Sequence, residues 1–178
     1  MIIEFQGKRP RIGKNVFIAP NATVIGDVEI GDGASIWYGT VVRSEIASII
    51  IGANTNIQDN CVLHADPDYP CRIGENVTVG HGAIIHGCTI EADCLIGMGS
   101  IVMNGVYVKT GSIVAAGSVV TEERVFGPYQ MVTGIPAEVK KQLSKKEENG
   151  LGRPVTAYRM LADEYLRLHA ETLIKKQS

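Results

Sequence analysis

Three of the four histidines in this chain, His64, His81 and His86, fall close together in two short stretches, NIQDNCVLHAD (56–66) and GHGAIIHG (80–87). Neutral imidazole is a preferred nitrogen ligand of Zn²⁺, and three imidazoles with a fourth position open make a catalytic rather than a structural arrangement. Fe²⁺ or Co²⁺ suits the same donors. The four cysteines, Cys61, Cys71, Cys88 and Cys94, form no C-x-x-C pair. They read as reduced structural thiols of a cytoplasmic protein and leave the histidines as the metal-binding set.

What must position these rings is a repeat. Aliphatic residues stand at Ile12, Ile18, Val24, Ile30, Ile36 and Val42, each six positions after the last. The beat resumes at Ile51, Ile57 and Leu63, again at Ile73, Val79 and Ile85, and runs from Ile90 through Ile96, Val102, Val108 and Val114 to Val120. Four residues beyond each comes a mostly small companion: Val16, Ala22, Val28, Ala34, Thr40 and Ile46, then residues such as Cys61, Val77, Ala83 and Ser100. Neither a helical period nor strand alternation gives a beat of six. A hexapeptide β-solenoid does, with one flat side per repeat and about 18 residues per triangular coil. Twenty glycines and few aromatics agree, because bulky rings do not fit between coils. Glycines such as Gly13, Gly26, Gly31, Gly52, Gly74 and Gly80 are expected near the corners, at positive φ.

The fold expected is an all-β solenoid, a left-handed parallel β-helix with a C-terminal α-helix. The β-helix with its metal site should occupy residues 1–125, and a return segment and helix residues 126–178. The beat is expected to stop after Val120, with a short helix near Ala137. An amphipathic helix should then run from Ala157 to Lys175, with Thr156 as N-cap and Tyr158, Leu161, Tyr165 and Leu168 on its apolar face. A net charge of −2 with mixed signs gives no reason to expect nucleic acid or an anionic membrane as partner. No signal-like N-terminus or membrane-spanning apolar run is apparent.

The beat has three breaks. There are insertions of three residues between Val42 and Ile51 and of four between Leu63 and Ile73, and a deletion of one between Ile85 and Ile90. Insertions in solenoids collect on one face, often the functional one. Removing them makes relative position computable. His64 and His86 are 22 residues apart, which is one coil plus the four-residue insertion. They should therefore stack about 4.8 Å apart in backbone. Arg43 joins the same column from the coil before. By the same subtraction Asp59 lies beneath His81. A corner turns His81 away from the other two, so the three rings converge only between subunits, in a homotrimer packed side against side.

VVRSE (41–45), NIQDNCVLH (56–64) and GHGAIIHG (80–87) resemble the γ-class carbonic anhydrases, and the similarity covers nearly the whole chain. The resemblance implies His64, His81 and His86 as metal ligands, Gln58, Asp59 and Asn56 as active-site residues, and Arg43 at the subunit contact. It further implies metal-dependent hydration of CO₂ to bicarbonate. Glu45 stands where the family carries Asp after the Arg. The loop after His64 is only ADPDYP, without the long acidic segment and shuttle Glu of the family prototype, so weak activity limited by proton export is expected. In the C-terminal helix the family's Asn position falls at Arg167, and Tyr165 is the group expected near the pocket. Two rival readings share the fold. One is a hexapeptide acyltransferase or thioesterase acting on a coenzyme A ester, and the other is a metal-stabilised structural trimer without turnover.

Overall fold

The structure, a computed structural model, describes residues 1–175, with side chains described to Leu168. It is a parallel β-solenoid of about seven coils closed at one end by a hairpin and flanked by a helix. One side stacks the short strands Phe17–Ile18, Ser35–Ile36, Asn56–Ile57, Thr78–Val79, Leu95–Ile96 and Ile113–Val114 in an eight-stranded sheet. The other two sides merge into a twelve-stranded sheet, because Thr23–Ile30 and Val41–Ile51 run through a corner and belong to both. The topology is that of a left-handed β-helix of hexapeptide repeats.

The aliphatic beat is the core. Ile36, Ile57, Val79, Ile96 and Val114 are fully buried on one side, and Val24, Val42, Leu63, Ile85, Val102 and Val120 on the next. Each such side chain contributes roughly 1.5–3 kcal/mol by leaving water. Ile46, at the companion position by spacing, is instead exposed, because the three-residue insertion shifts that place to the buried Ile49. The beat also continues past Val120: Phe126 pairs with Val108 and Val132 with Val114. Strands of the last coil thus lie on both sides of residue 125.

The corner glycines act differently from expectation. Of those named, only Gly26 has positive φ; the left-handed positions belong to Asn15, Gly33, Asn54, Asn76 and Asp93. Gly52 is needed for close approach, since a Cβ there would meet the Gly74 carbonyl carbon at 2.4 Å.

No helix forms near Ala137. Ala137–Gln142 is a strand, antiparallel to Gln130–Gly134. The open edge of the last coil needs a hydrogen-bonding partner, and this segment supplies it against its local propensity. The C-terminal helix begins at Gly152, earlier than expected, with Pro154 tolerated in its first turn. Thr156 is therefore inside the helix, its Oγ1–H donating to the Gly152 carbonyl four residues back, and does not cap it. The buried stripe is Val155, Tyr158, Ala162, Tyr165 and Leu166, while Leu161 and Leu168 face outward.

Candidate metal centre

His64 ends the strand Val62–His64 and His86 ends Ile84–His86, and the two pair directly in the ladder. Arg43 pairs with His64 from the coil below. The column derived from spacing is present, and His64 Nδ1 lies 3.0 Å from His86 Nε2. Both insertions feed it. The first forms a bulge in Val41–Ile51, from which Glu45 accepts from His64 Nε2 at 3.3 Å while also pairing with Arg43. Burial pushes the Glu45 carboxyl up, but Arg43 and His64 outweigh it and hold the group below its ordinary range.

The second insertion is a tight loop closed by two backbone hydrogen bonds between Asp66 and Tyr69. Asp66 accepts from Asn104 Nδ2 at 2.8 Å, and Asn104 Oδ1 accepts from His86 Nδ1 at 2.7 Å. Tyr69 lies over Gly87, where a Cβ would meet the Tyr69 Cβ at 2.7 Å and Asn104 Oδ1 at 2.3 Å. The one-residue deletion thus places a glycine where the loop must approach. Neither Asp66 nor Asn104 was among the residues singled out by sequence. The available signal was a carboxylate in an insertion two residues after an expected ligand.

These contacts set the tautomers. His64 Nε2–H donates to Glu45, and His86 Nδ1–H donates to Asn104. The two remaining nitrogens, His64 Nδ1 and His86 Nε2, then face each other as lone pairs, an arrangement that needs a proton or a cation between them. A tetrahedral Zn²⁺ would set two such nitrogens about 3.3 Å apart, close to the observed spacing. The donor set therefore fits a divalent metal. Outer carboxylates and amides on ligating imidazoles are the usual supports of such a site. Among the described residues, the group whose ligand atoms all lie within 4.8 Å of one another is His64, Asp66 and His86. Burial pushes the Cys61 thiol up to about 11 and the Cys94 thiol up to about 12, so neither offers a thiolate.

His81 stands apart from this group, on the turn between Thr78–Val79 and Ile84–His86, half-exposed. Its Nδ1 lies 2.9 Å from an Asp59 carboxylate oxygen, which favours a proton there, and its Nε2 lies 3.2 Å from the Tyr158 hydroxyl. The pairing of Asp59 with His81 follows the spacing argument. Behind them runs a buried amide chain: the His81 N–H donates to Gln58 Oε1 at 3.2 Å, Gln58 Nε2 to Asn56 Oδ1 at 3.1 Å, and Asn56 Nδ2 to Thr78 Oγ1 at 2.9 Å. Tyr165 packs with Phe17, Trp37 and Tyr38 at ring separations of 5.3, 5.4 and 5.9 Å. Among the described residues, the helix residue that reaches a histidine is Tyr158, two turns earlier, and Arg167 is exposed.

Comparison with known proteins gives the same direction. The bacterial transferase hexapeptide (six repeats) family model matches residues 9–44 and 87–122. A probable carbonic anhydrase of Methanocaldococcus jannaschii is 45% identical over 85% of this chain and 96% of its own length. Mitochondrial gamma carbonic anhydrase 2 of Arabidopsis thaliana is 45% identical over 79% of this chain, which spans only 52% of that relative. A Bacillus cereus crystal structure with a provisional acetyltransferase assignment superposes with a TM-score of 0.92 at 39% identity, covering 94% of this chain and 98% of the other.

Proposed function

The chain belongs to the γ-carbonic anhydrase family, and on that premise we propose that it hydrates CO₂ to bicarbonate at a divalent-metal site shared between protomers of a homotrimer. The observation that carries this is the convergence of the His64 and His86 lone pairs, with both outer nitrogens already engaged. His64 and His86 of one protomer and His81 of its neighbour would hold the ion, Zn²⁺ by default. When bound, the metal supplies a Lewis acid and a water that ionises near neutral pH.

The chain's own residues do the rest. The Asp59 carboxylate 2.9 Å from His81 Nδ1 would hold the ring proton there and leave Nε2 as the ligand nitrogen. Gln58 holds the His81 backbone with its oxygen and retains one amide proton to orient the reacting oxygen. Glu45 and Asn104 fix the two stacked rings. A groove of about 310 Å³ beside His86, walled by Ile84, Ile101 and Met103, suits a small apolar reactant. Four free, buried thiols fit a reducing compartment, and among the described residues no helix is long and apolar enough to cross a membrane.

The test is stopped-flow CO₂ hydration with metal content measured in each sample. About one divalent ion per chain is expected, with slow turnover that rises with imidazole buffer, because an external base replaces the missing acidic loop. Gln58→Ala should lower the rate and leave metal content intact. Fully loaded protein with no hydration above a metal-free control would defeat this reading. The similarity to the Bacillus cereus protein supports acetyl transfer as the alternative, and turnover of a coenzyme A thioester without metal would select it.

A further inference from the structure

The proposed site draws its third ligand from a neighbour, yet one protomer already brings three donors together. We infer that Asp66 is a capture ligand: with the imidazoles of His64 and His86 it forms a divalent-metal site inside a single chain, which binds the ion before assembly and does not require it. This rests on the metal-site reading above and extends it to how the site is loaded.

Three observations converge. One ligand atom from each of His64, Asp66 and His86 can be chosen so that the three lie within 4.8 Å of one another. Two imidazoles and a carboxylate are a competent set for Zn²⁺ and its neighbours, and small side-chain adjustments bring such atoms to bonding distance. Second, both imidazoles are held with their lone pairs inward by partners in the same chain, Glu45 and Asn104, so no neighbour is needed to prepare them. Third, Asp66 is itself pre-positioned. Its loop is closed on Tyr69, and Tyr69 is seated against Gly87 and Gly105. Its Oδ2 accepts from Asn104, and a carboxylate has lone pairs enough to serve a cation as well. Asn104 thereby ties the third donor to the second, holding Asp66 and His86 in one geometry. By contrast His81 Nε2 is engaged by Tyr158 in its own chain. On assembly the neighbour's His81 would take the place of Asp66, returning the carboxylate to Asn104.

The experiment titrates chelator-stripped full-length protein with Co²⁺ and Zn²⁺, reading d–d absorption and chelator competition, with oligomeric state followed by light scattering. The set is wild type, His81→Ala, Asp66→Asn and the double variant, with His64→Ala as control. Asp66→Asn keeps the side-chain shape and guards against loss of the loop. His81→Ala should retain about one ion per chain, more weakly than wild type, including in any monomeric fraction. Adding Asp66→Asn should weaken binding more than about 100-fold further, beyond the 10–100-fold cost typical of losing an outer partner. No metal in His81→Ala, or binding indifferent to Asp66→Asn, overturns the capture role while leaving the three-histidine site standing. No metal in wild type overturns both.

Discussion

The two sides of the solenoid that carry the histidines are finished in opposite ways. On the side of His81, the outward residues Phe17, Trp37, Asn56, Gln58 and Thr78 are buried, and the C-terminal helix packs over the strands at Phe17, Ser35 and Asn56 and against Trp37. On the side of His64 and His86, the outward residues Val62 and Ile84 are 40% and 38% exposed, although they alternate with fully buried Leu63 and Ile85. One side is completed by its own chain; the other presents an apolar ladder beside a polar column. The difference teaches that the solenoid's stability and the completion of the proposed metal site are separable. The covered side should respond to mutation as a core, and the open side as an interface.

The largest effect should come from breaking the covered side. Trp37 packs against Phe17, Tyr158 and Tyr165 at 5.0, 5.1 and 5.4 Å between ring centroids, and its Nε1–H donates to Ser35. Trp37→Ala should cost about 3–5 kcal/mol in chemical denaturation, the usual range for emptying a buried aromatic site. A loss under about 1 kcal/mol would mean the helix does not seal this face.

The open side should break without unfolding. Ile84→Glu puts a charge on the exposed ladder, where surface substitutions usually change protomer stability by no more than about 0.5 kcal/mol. In the proposed trimer the same charge would be buried without a partner, so light scattering should show dissociation at concentrations where wild type stays assembled. An unchanged assembly would remove this face from the subunit contact. A dissociated protein that still binds metal would be the form on which the Asp66 site is most directly seen.

How much of this was readable in advance follows the same division. A solenoid makes position nearly additive in residue number, so subtracting an insertion sufficed to stack His64 on His86 and Asp59 beside His81. What escaped depends on closure in three dimensions. In the sequence Asp66 belongs only to a short loop, and it is the fold of that loop over Gly87 that brings it near His86. The segment at Ala137 has no strong strand pattern and becomes a strand because the last coil offers an unpaired edge. Tyr165 and Tyr158 both lie on the apolar stripe of the helix. Which one meets His81 is decided by where the helix docks, and no periodicity carries that.

The smallest effect sharpens the boundary between the two sides, where Tyr158 touches His81. Burial pushes the Tyr158 hydroxyl above its ordinary range, with the nearby Asp59 charge adding to the shift, so at neutral pH it stays protonated and acts as a donor. The Asp59 carboxylate 2.9 Å from Nδ1 favours a proton on that nitrogen, which leaves the hydroxyl facing the Nε2 lone pair that a metal in a neighbouring protomer would need. Tyr158→Phe keeps the ring contact with Trp37 and removes only the hydroxyl, at a stability cost of about 0.5–1.5 kcal/mol for one hydrogen bond. Because the competitor for Nε2 is gone, metal affinity of the assembled protein should rise, by up to about tenfold for 1.4 kcal/mol. Chelator competition on samples matched for oligomeric state measures it. Weaker binding in the variant would show instead that the hydroxyl supports the metal site, and the helix would then belong to the chemistry as well as to the fold.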